Sequence, residues 1–391
     1  MVVLVSFYTV SSGRKDYLCT MIRYFVTLLP VLVCLFWSCQ LWIDWRHQHS
    51  KAKLRLMHFS IVATLLYIGH FAYFNREYTI FPYTDTIYCM ANLAVYPLYY
   101  LYLMEMTERE WKKHWQVTLL LPSLIMGIVV GGSYAFASDA ARPEIISTAR
   151  FVAKIVFAIQ VVTVMTKGYR RVKNFDEKVE NYYADTENRT LRNTQSIMML
   201  LVITSVMSFT ANAIGKEAFA DSVVLVSIPS VLFAIILFML LRAGHKQNFT
   251  IDELMEETTE TVTGSEAESD AETAPAEVTA DRIRQISAEI EEVMRSKKIF
   301  LQRDLRVSDL AILLNTNRDY VSKAIRLDKG MSFAEYVNKH RIEYAIQLMK
   351  NNPQIPVLEL SVKAGYTSQA SFFRNFKQFT GTTPKQFMQK P

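Results

Sequence analysis

Seven stretches of about 20 mostly apolar residues dominate the first 241 positions of the chain. A helix that crosses a bilayer needs about 20 such residues, because the hydrocarbon core is about 30 Å thick. Hydrophobic residues make up 51% of the chain and charged residues 20%. The pattern predicts a seven-helix transmembrane bundle within residues 1–246. The predicted spans are Tyr24–Ile43, Leu56–Phe74, Thr86–Met104, Val117–Phe136, Ile145–Met165, Ser196–Gly215 and Ser222–Leu241.

The connections between these stretches alternate in charge. Three connections and the short tail after the last span hold sixteen Lys and Arg residues, whereas the three intervening connections hold three. Cytoplasmic loops of membrane proteins are enriched in Lys and Arg. We therefore expect a multi-pass protein of the cytoplasmic (inner) membrane with its C-terminus in the cytoplasm. Arg14, Lys15 and Arg23 depart from the pattern, since they precede the first span on the predicted outer side.

Several polar side chains fall inside the predicted spans. His58 and His70 lie in the second span, and Asn92 and Tyr96 lie in the third. One interpretation is that these four residues line a ligand cavity. The other is structural: polar groups in spans often bond to neighbouring helices, and tyrosines are common at membrane interfaces.

The sequence contains none of the common catalytic patterns. There is no H-E-x-x-H metal motif, no nucleophile elbow and no phosphate-binding glycine loop. The four cysteines form no C-x-x-C pair. We therefore predict a protein that is not an enzyme and that has no cofactor and no metal site.

The composition changes abruptly after the last apolar stretch. Residues 250–280 contain ten acidic residues and no basic one, and they lack aromatic residues. Such a segment buries too little apolar surface to offset the entropy cost of ordering it. We predict an acidic flexible linker over residues 247–280. Because its charge opposes that of residues 281–391, weak binding of the linker to a basic face of the next domain is a hypothesis.

Residues 281–391 carry 19 basic and 11 acidic residues and show two similar helix-turn-helix patterns. Ser308 is the expected cap of a short helix, "NTN" the turn, and Arg318–Leu327 the second helix. The pattern recurs with "PVLELSVKAG", the turn "YT" and a helix over Ser368–Phe379. The two units cover residues 307–327 and 357–380. Phe372, Phe376 and Phe379 recur at helical spacing and are predicted core.

A recognition helix in the major groove must present hydrogen-bonding side chains to base edges, and other cations can contact phosphates. We assign roles to the predicted outward-facing residues of both units on this basis. The expected base contacts are Arg318, Ser322, Lys323, Ser368, Gln369, Ser371 and Arg374. The expected phosphate contacts are Arg326, Lys363 and Lys377.

The segments "SDLAILL", "SFAEYVNKHRIEYAIQLM" and "AGYTSQASFFRNFKQFTGTTPKQF" resemble the C-terminal DNA-binding domain of AraC/XylS-type transcription regulators. The resemblance covers about Ile290–Met388. It implies an all-α chain with a cytoplasmic double helix-turn-helix domain, promoter DNA as a partner and contact with RNA polymerase. Two positions depart from the family pattern: Ser361 stands where alanine is usual, and Asp319 lies in the first recognition helix.

Together these features predict a membrane-embedded one-component transcription regulator, controlled by a small-molecule or membrane-protein signal that the bundle senses. A homodimer paired through the helix Asp281–Lys297 is a further hypothesis. One alternative is a small-solute transporter or channel with an autoregulatory DNA-binding tail. Another is release of the DNA-binding domain by proteolysis.

Overall fold

A computed structural model describes residues 2–75, 81–108, 114–214, 222–260 and 276–389. The chain divides into two compact units. Unit 1 comprises Met1–Lys173 and Arg192–Ile251, and unit 2 comprises Asn174–Leu191 and Asp252–Pro391. Within the described ranges all regular elements are helical, and the only strand-like pairing is an isolated bridge between Tyr183 and Arg306. The predicted all-α class is confirmed.

Unit 1 is built from long apolar helices. Within α1, α2, α3, α4, α5 and α7, six segments are long and apolar enough to cross a membrane. The helices are α1 (Val2–Gln48), α2 (Lys51–Phe74), α3 (Phe81–Thr107), α4 (His114–Phe136), α5 (Arg142–Tyr182), α6 (Arg192–Ile214) and α7 (Val223–Lys246).

The sixth predicted span, Ser196–Gly215, corresponds to α6. This helix is present, but several side chains in its second half and Gly215 lie outside the described residues. The count of seven spans therefore stays a prediction. The other six predicted spans each coincide with one of the long apolar helices.

Charged residues of three helices meet at one end of unit 1. Asp44 lies near the end of α1, and its carboxylate Oδ2 is 2.5 Å from the Nδ1 atom of His245 in α7. Lys53 of α2 is 2% exposed, and its ammonium group donates to the carbonyl of Gly244 at 3.0 Å. A cation at the last carbonyls of a helix satisfies groups that have no partner within the helix. These residues flank the connections that we predict to be cytoplasmic.

Helix α5 is longer than a single span requires. Its 41 residues correspond to about 60 Å of helix at 1.5 Å per residue. A hydrocarbon core is about 30 Å thick, so about half of the helix extends beyond it in any membrane-spanning placement. The division into units falls within this helix, after Lys173. The end of α5 therefore belongs to unit 2 while its apolar first part belongs to unit 1.

Unit 2 consists mainly of short helices in the C-terminal part of the chain. They are α8 (Ile251–Glu260), α9 (Ala276–Lys297), α10 (Val307–Leu313), α11 (Arg318–Ala324), α12 (Phe333–Asn351), α13 (Val357–Lys363), α14 (Gln369–Thr380) and α15 (Pro384–Met388). A 3-10 turn spans Ile299–Leu301, and a π-helical turn spans Ile325–Lys329.

The observed division of the chain differs from the predicted domain boundaries in two places. Asn174–Leu191 belongs to unit 2, although the sequence boundaries placed it in the transmembrane domain. Within the predicted linker, residues 251–260 form a helix of their own, α8, and α9 begins at Ala276. Residues 261–275 of the predicted linker lie outside the described residues.

Helix α9 uses its apolar face inside the chain. Ile283, Ile286, Ile290 and Met294 are buried, and the helix packs against α11. Val293 also has helical spacing with Ile286 and Ile290, but it is half-buried, and Met294 completes the buried face. Because this face is already covered, it does not support the predicted pairing of the same helix between two protomers.

Gly365 occupies a position that no other residue fits. Its φ is +83°, and a Cβ atom there would lie 2.8 Å from the carbonyl oxygen of Leu301. We expect Gly365→Ala to destabilise unit 2 by about 3 kcal/mol, because the clash is with backbone and adds to left-handed strain. Gly381 is the matched control: its φ is +74° and its surroundings are open, so alanine there costs about 1 kcal/mol.

The measurement is chemical unfolding of the full-length chain, followed by hydrogen exchange of amides in residues 281–389. Equal losses of stability in the two variants would show that the close approach to Leu301 does not constrain the fold.

Candidate nucleic-acid interface and a cavity among the apolar helices

The first helix-turn-helix unit is formed by α10 and α11. Asn317 precedes α11, and its side chain accepts a hydrogen bond from the Tyr320 backbone at 2.9 Å. Val321, Ala324 and Ile325 are buried beneath this helix. Burial of these three residues leaves the opposite face of α11 toward solvent, as the sequence pattern predicted.

The predicted start of α10 is wrong. Ser308 does not cap this helix, because the helix begins at Val307 and Ser308 is 4% exposed within it. The carboxylate of Asp309 instead accepts the backbone N–H of Arg306 at 2.7 Å. An acidic side chain in the first turn binds an N–H group that has no partner within the helix.

The second helix-turn-helix unit is formed by α13 and α14. Gly365 provides the turn, and the Ser368 hydroxyl caps α14 by accepting the Ser371 backbone N–H at 3.1 Å. The helix ends at Gly381 in the left-handed conformation. Ser361, the departure from the family pattern, is 2% exposed and donates to the Leu358 carbonyl at 2.8 Å. Serine therefore fits this buried position with its hydroxyl satisfied.

Aromatic side chains hold α14 in place. Phe372 and Phe376 are fully buried with ring centroids 5.5 Å apart, and Phe379 packs against the same core. Tyr366 lies 5.3 Å from the Phe372 ring. The predicted core residues of this helix are confirmed, and their burial determines which face of α14 is exposed.

The structure brings most of the predicted base contacts to the outer faces of α11 and α14. Lys323, Gln369 and Arg374 are exposed, and Arg318, Ser322 and Ser368 are half-buried. Ser371 differs: it is 5% exposed, and its backbone carbonyl accepts from the Asn375 side chain at 3.0 Å. Its burial argues against a base contact by Ser371.

The predicted phosphate contacts are all exposed, but their surroundings differ. Arg326 follows the first recognition helix, α11, and Lys377 lies on the second, α14. Lys363 lies at the end of α13, where its ammonium group is 2.8 Å from the Glu359 carboxylate. This hydrogen bond raises the pKa of Lys363. Contact of Lys363 with a phosphate would compete with Glu359.

Asp319, the acidic departure in the first recognition helix, is exposed. Its carboxylate lies 4.0 Å from the Nε atom of Arg318. Part of the Arg318 charge is therefore compensated at the surface that would face DNA. This arrangement places more of the expected base recognition on α14.

Arg341 has a role that the sequence patterns did not indicate. It lies in α12, the helix between the two helix-turn-helix units, and it is 1% exposed. Its guanidinium group donates to the carbonyls of Phe300 at 2.6 Å and Gln302 at 2.7 Å. Burial lowers the pKa of Arg341. Val337 and Ala345 are buried and lie four residues before and after Arg341. This helical spacing was the available sequence signal that Arg341 is on the buried face.

A separate cavity lies among the apolar helices of unit 1. Its volume is about 60 Å³, and its lining includes His70, Asn92 and Tyr96. One water needs about 15 Å³ of such space, so the cavity is large enough for a small group of atoms. Tyr96 directs its hydroxyl to the Leu201 carbonyl at 3.4 Å. His58, the fourth predicted lining residue, is not part of this cavity.

Comparison with known proteins agrees with the geometry of unit 2. A family model described as "Helix-turn-helix domain" matches residues 310–390. Residues 310–390 form an AraC-type helix-turn-helix domain. The predicted resemblance is therefore confirmed for this part of the chain.

Curated relatives match part of the chain. The Msm operon regulatory protein of Streptococcus mutans is 32% identical over 83 residues, which are 21% of this chain and 30% of that protein. The transcriptional regulatory protein YesN of Bacillus subtilis is 33% identical over 79 residues, covering 20% of this chain and 22% of that protein. An HTH-type transcriptional regulator of Staphylococcus aureus is 30% identical over 107 residues, which are 27% of this chain and 13% of that protein. The chain thus spans less than a third of each relative. No solved structure matches it.

Arg374 is the strongest candidate for a base contact, because it is exposed on α14 and its planar guanidinium can bond to two acceptors of guanine. We expect Arg374→Ala to weaken specific binding by about 1–3 kcal/mol and to relax the preference at one base pair. Fluorescence anisotropy with the selected duplex and with single-base variants measures both effects. Unchanged discrimination at every position would remove Arg374 from the base contacts.

Lys377 lies three residues further along α14 and is the matched comparison. If it contacts a phosphate, Lys377→Ala weakens binding to specific and scrambled duplexes alike. The slope of log affinity against log salt then becomes shallower by about 0.9, the value for one phosphate contact. A slope equal to that of the parent protein would exclude the phosphate contact.

Proposed function

We propose that this chain is a membrane-embedded one-component transcription regulator. Its two helix-turn-helix units bind double-stranded promoter DNA, and its bundle of apolar helices receives the signal that controls binding. The observation that carries the proposal is the combination, in one chain, of an AraC-type domain with helices suited to crossing a membrane, of which the described residues contain six. Helix α5 joins the two parts as one uninterrupted helix.

Two recognition helices on one domain suit a long, asymmetric DNA site. Both α11 and α14 carry exposed cationic or amide side chains, and α12 connects their units. Helix-turn-helix units that share one face of DNA read major-groove segments about 34 Å apart, one helical turn of the duplex. A site of this length gives sequence specificity without a second protomer. The geometry therefore does not require a dimer.

The cavity in unit 1 is the candidate position for a signal. Its lining combines aromatic rings, among them Tyr99 and Phe157, with the polar side chains of His70 and Asn92. Such a lining suits a small, mainly apolar molecule that has one hydrogen-bonding end. A ligand changes the activity of the domain only if it binds two states of the bundle with different affinity.

The charge distribution supports an orientation in which DNA is accessible. The Lys- and Arg-rich connections and the residues after α7 fall on one predicted side. In this orientation the protein is a multi-pass component of the cytoplasmic membrane, and unit 2 lies in the cytoplasm with the chromosome. RNA polymerase is the expected partner at a promoter.

Selection from a random duplex library tests the proposal. With the full-length protein in lipid nanodiscs, we expect enrichment of a bipartite motif whose two blocks are about 10 base pairs apart. The Arg374→Ala protein, selected in parallel, should lose the information at one position of the block read by α14.

Two outcomes would contradict the proposal. One is the absence of any enriched sequence with protein that binds DNA. The other is a reporter fused after Pro391 that is active only on the outer side of the membrane. Solute flux through vesicles containing the protein would instead favour the transporter alternative.

A further inference from the structure

Asn174–Leu191, here called the docked segment, belongs to the DNA-binding unit although it connects α5 with α6. The Ala184 backbone N–H donates to the Leu305 carbonyl at 3.0 Å. The side-chain amide of Asn338 donates to the Ala184 carbonyl at 3.1 Å. Both backbone groups of Ala184 are thus paired with the helix-turn-helix domain, one just before α10 and the other on α12.

Two acidic residues of the docked segment reach the second recognition helix. The hydroxyl of Thr367 donates to the carboxylate of Asp185, and the hydroxyl of Ser368 donates to the carboxylate of Glu187. Ser368 is the residue that caps α14. The two carboxylates therefore lie at the N-terminal end of the helix that carries Gln369 and Arg374.

This position is the one that DNA would occupy. In helix-turn-helix complexes the N-terminal residues of the recognition helix contact base edges, and helix N-termini also bind phosphates. The Glu187 carboxylate accepts the hydrogen bond of the Ser368 hydroxyl, and Ser368 is one of the predicted base contacts. A carboxylate and a phosphate cannot share this end of the helix, because both are anions and the hydroxyl proton can be donated to only one of them.

The docked segment is internally braced, so it acts as a formed element. The Leu191 backbone N–H donates to the Asp176 carboxylate at 2.5 Å and closes the segment. The Glu187 backbone N–H donates to the Asp185 carboxylate at 3.0 Å, and Arg189 donates to the Asp185 carbonyl at 2.9 Å. These bonds hold both carboxylates in one orientation toward α14.

We propose that the docked segment is an autoinhibitory element, in which Asp185 and Glu187 bind the start of α14 and exclude DNA from the second recognition helix. The inference rests on the proposed function, since it names the regulation of the same DNA-binding face. The segment is continuous with α5 at one end and with α6 at the other. A change in the arrangement of these two helices is therefore transmitted directly to the contacts at Thr367 and Ser368.

The test compares DNA affinity of the full-length protein in nanodiscs before and after neutralisation of the two carboxylates. Asp185→Asn together with Glu187→Gln removes the charge but keeps the side-chain size. We expect about tenfold tighter binding to the selected duplex, the effect of losing a competing charge-assisted contact. The matched control is Glu266→Gln with Glu268→Gln, which removes the same charge from the acidic linker and should change affinity little.

Hydrogen exchange at the Ala184 amide reports docking without reference to affinity, because this group is bonded to Leu305 in the docked state. Exchange should become faster in the doubly neutralised protein, and also in the parent protein when the duplex is added. If Ala184 exchange does not respond to DNA, or if parent and variant bind with equal affinity, the proposed autoinhibition is wrong. The proposed function is not affected by either result.

Two further outcomes distinguish inhibition by the docked segment from inhibition by the acidic linker and from a failure of the proposed function. Tighter binding in the linker control and not in the docked-segment variant would assign inhibition to the linker and overturn this proposal. If neither the parent nor the variant prefers any duplex, the proposed function itself fails.

Discussion

The proposed membrane-spanning bundle depends on one constraint: a bilayer contains no water, so every backbone group inside it must be paired within its own segment. Long helices satisfy this constraint, and six helices in the described part of the chain are long and apolar enough to cross a membrane. Helix α5 is continuous, and its apolar first part and its polar end belong to different units. A helix is stiff along its axis, so a displacement at one end reaches the other. This property supports the proposal that the chain regulates transcription from the membrane without an intervening signalling protein.

Unit 2 solves the opposite problem, since its functional helices must expose polar side chains to water and DNA. Their positions depend on small cores: Phe372 and Phe376 beneath α14, and Val321 beneath α11. Arg341 is buried between the two helix-turn-helix units and bonds to backbone carbonyls that precede α10. Specificity therefore rests on surface side chains, whereas their spacing rests on buried residues that do not contact DNA.

Much of the fold could be predicted from the sequence because its patterns are local. Apolar runs of membrane length and phenylalanines at helical spacing each depend on neighbours within one helix. The start of α10 was missed because Asp309 and Ser308 compete as first-turn acceptors, and the choice depends on the burial of Ser308.

The docked segment was missed for a different reason. Its contacts with Leu305, Asn338 and Ser368 join residues more than 100 positions apart, and no local pattern encodes them. The buried residues Phe175, Val179 and Tyr182 share one helical face beyond the apolar part of α5. This continued periodicity was the available signal that α5 extends into a second packed unit.

The proposed function requires one intact chain to span the membrane and bind specific DNA at the same time. The most direct measurement is cross-linking of DNA to the protein in living cells, followed by separation of membrane and soluble fractions and sequencing of the recovered DNA. We expect a small set of sites that share one motif, recovered with the full-length chain in the membrane fraction. Recovery of those sites only with a shortened, soluble form, or recovery of DNA without any shared motif, would contradict it.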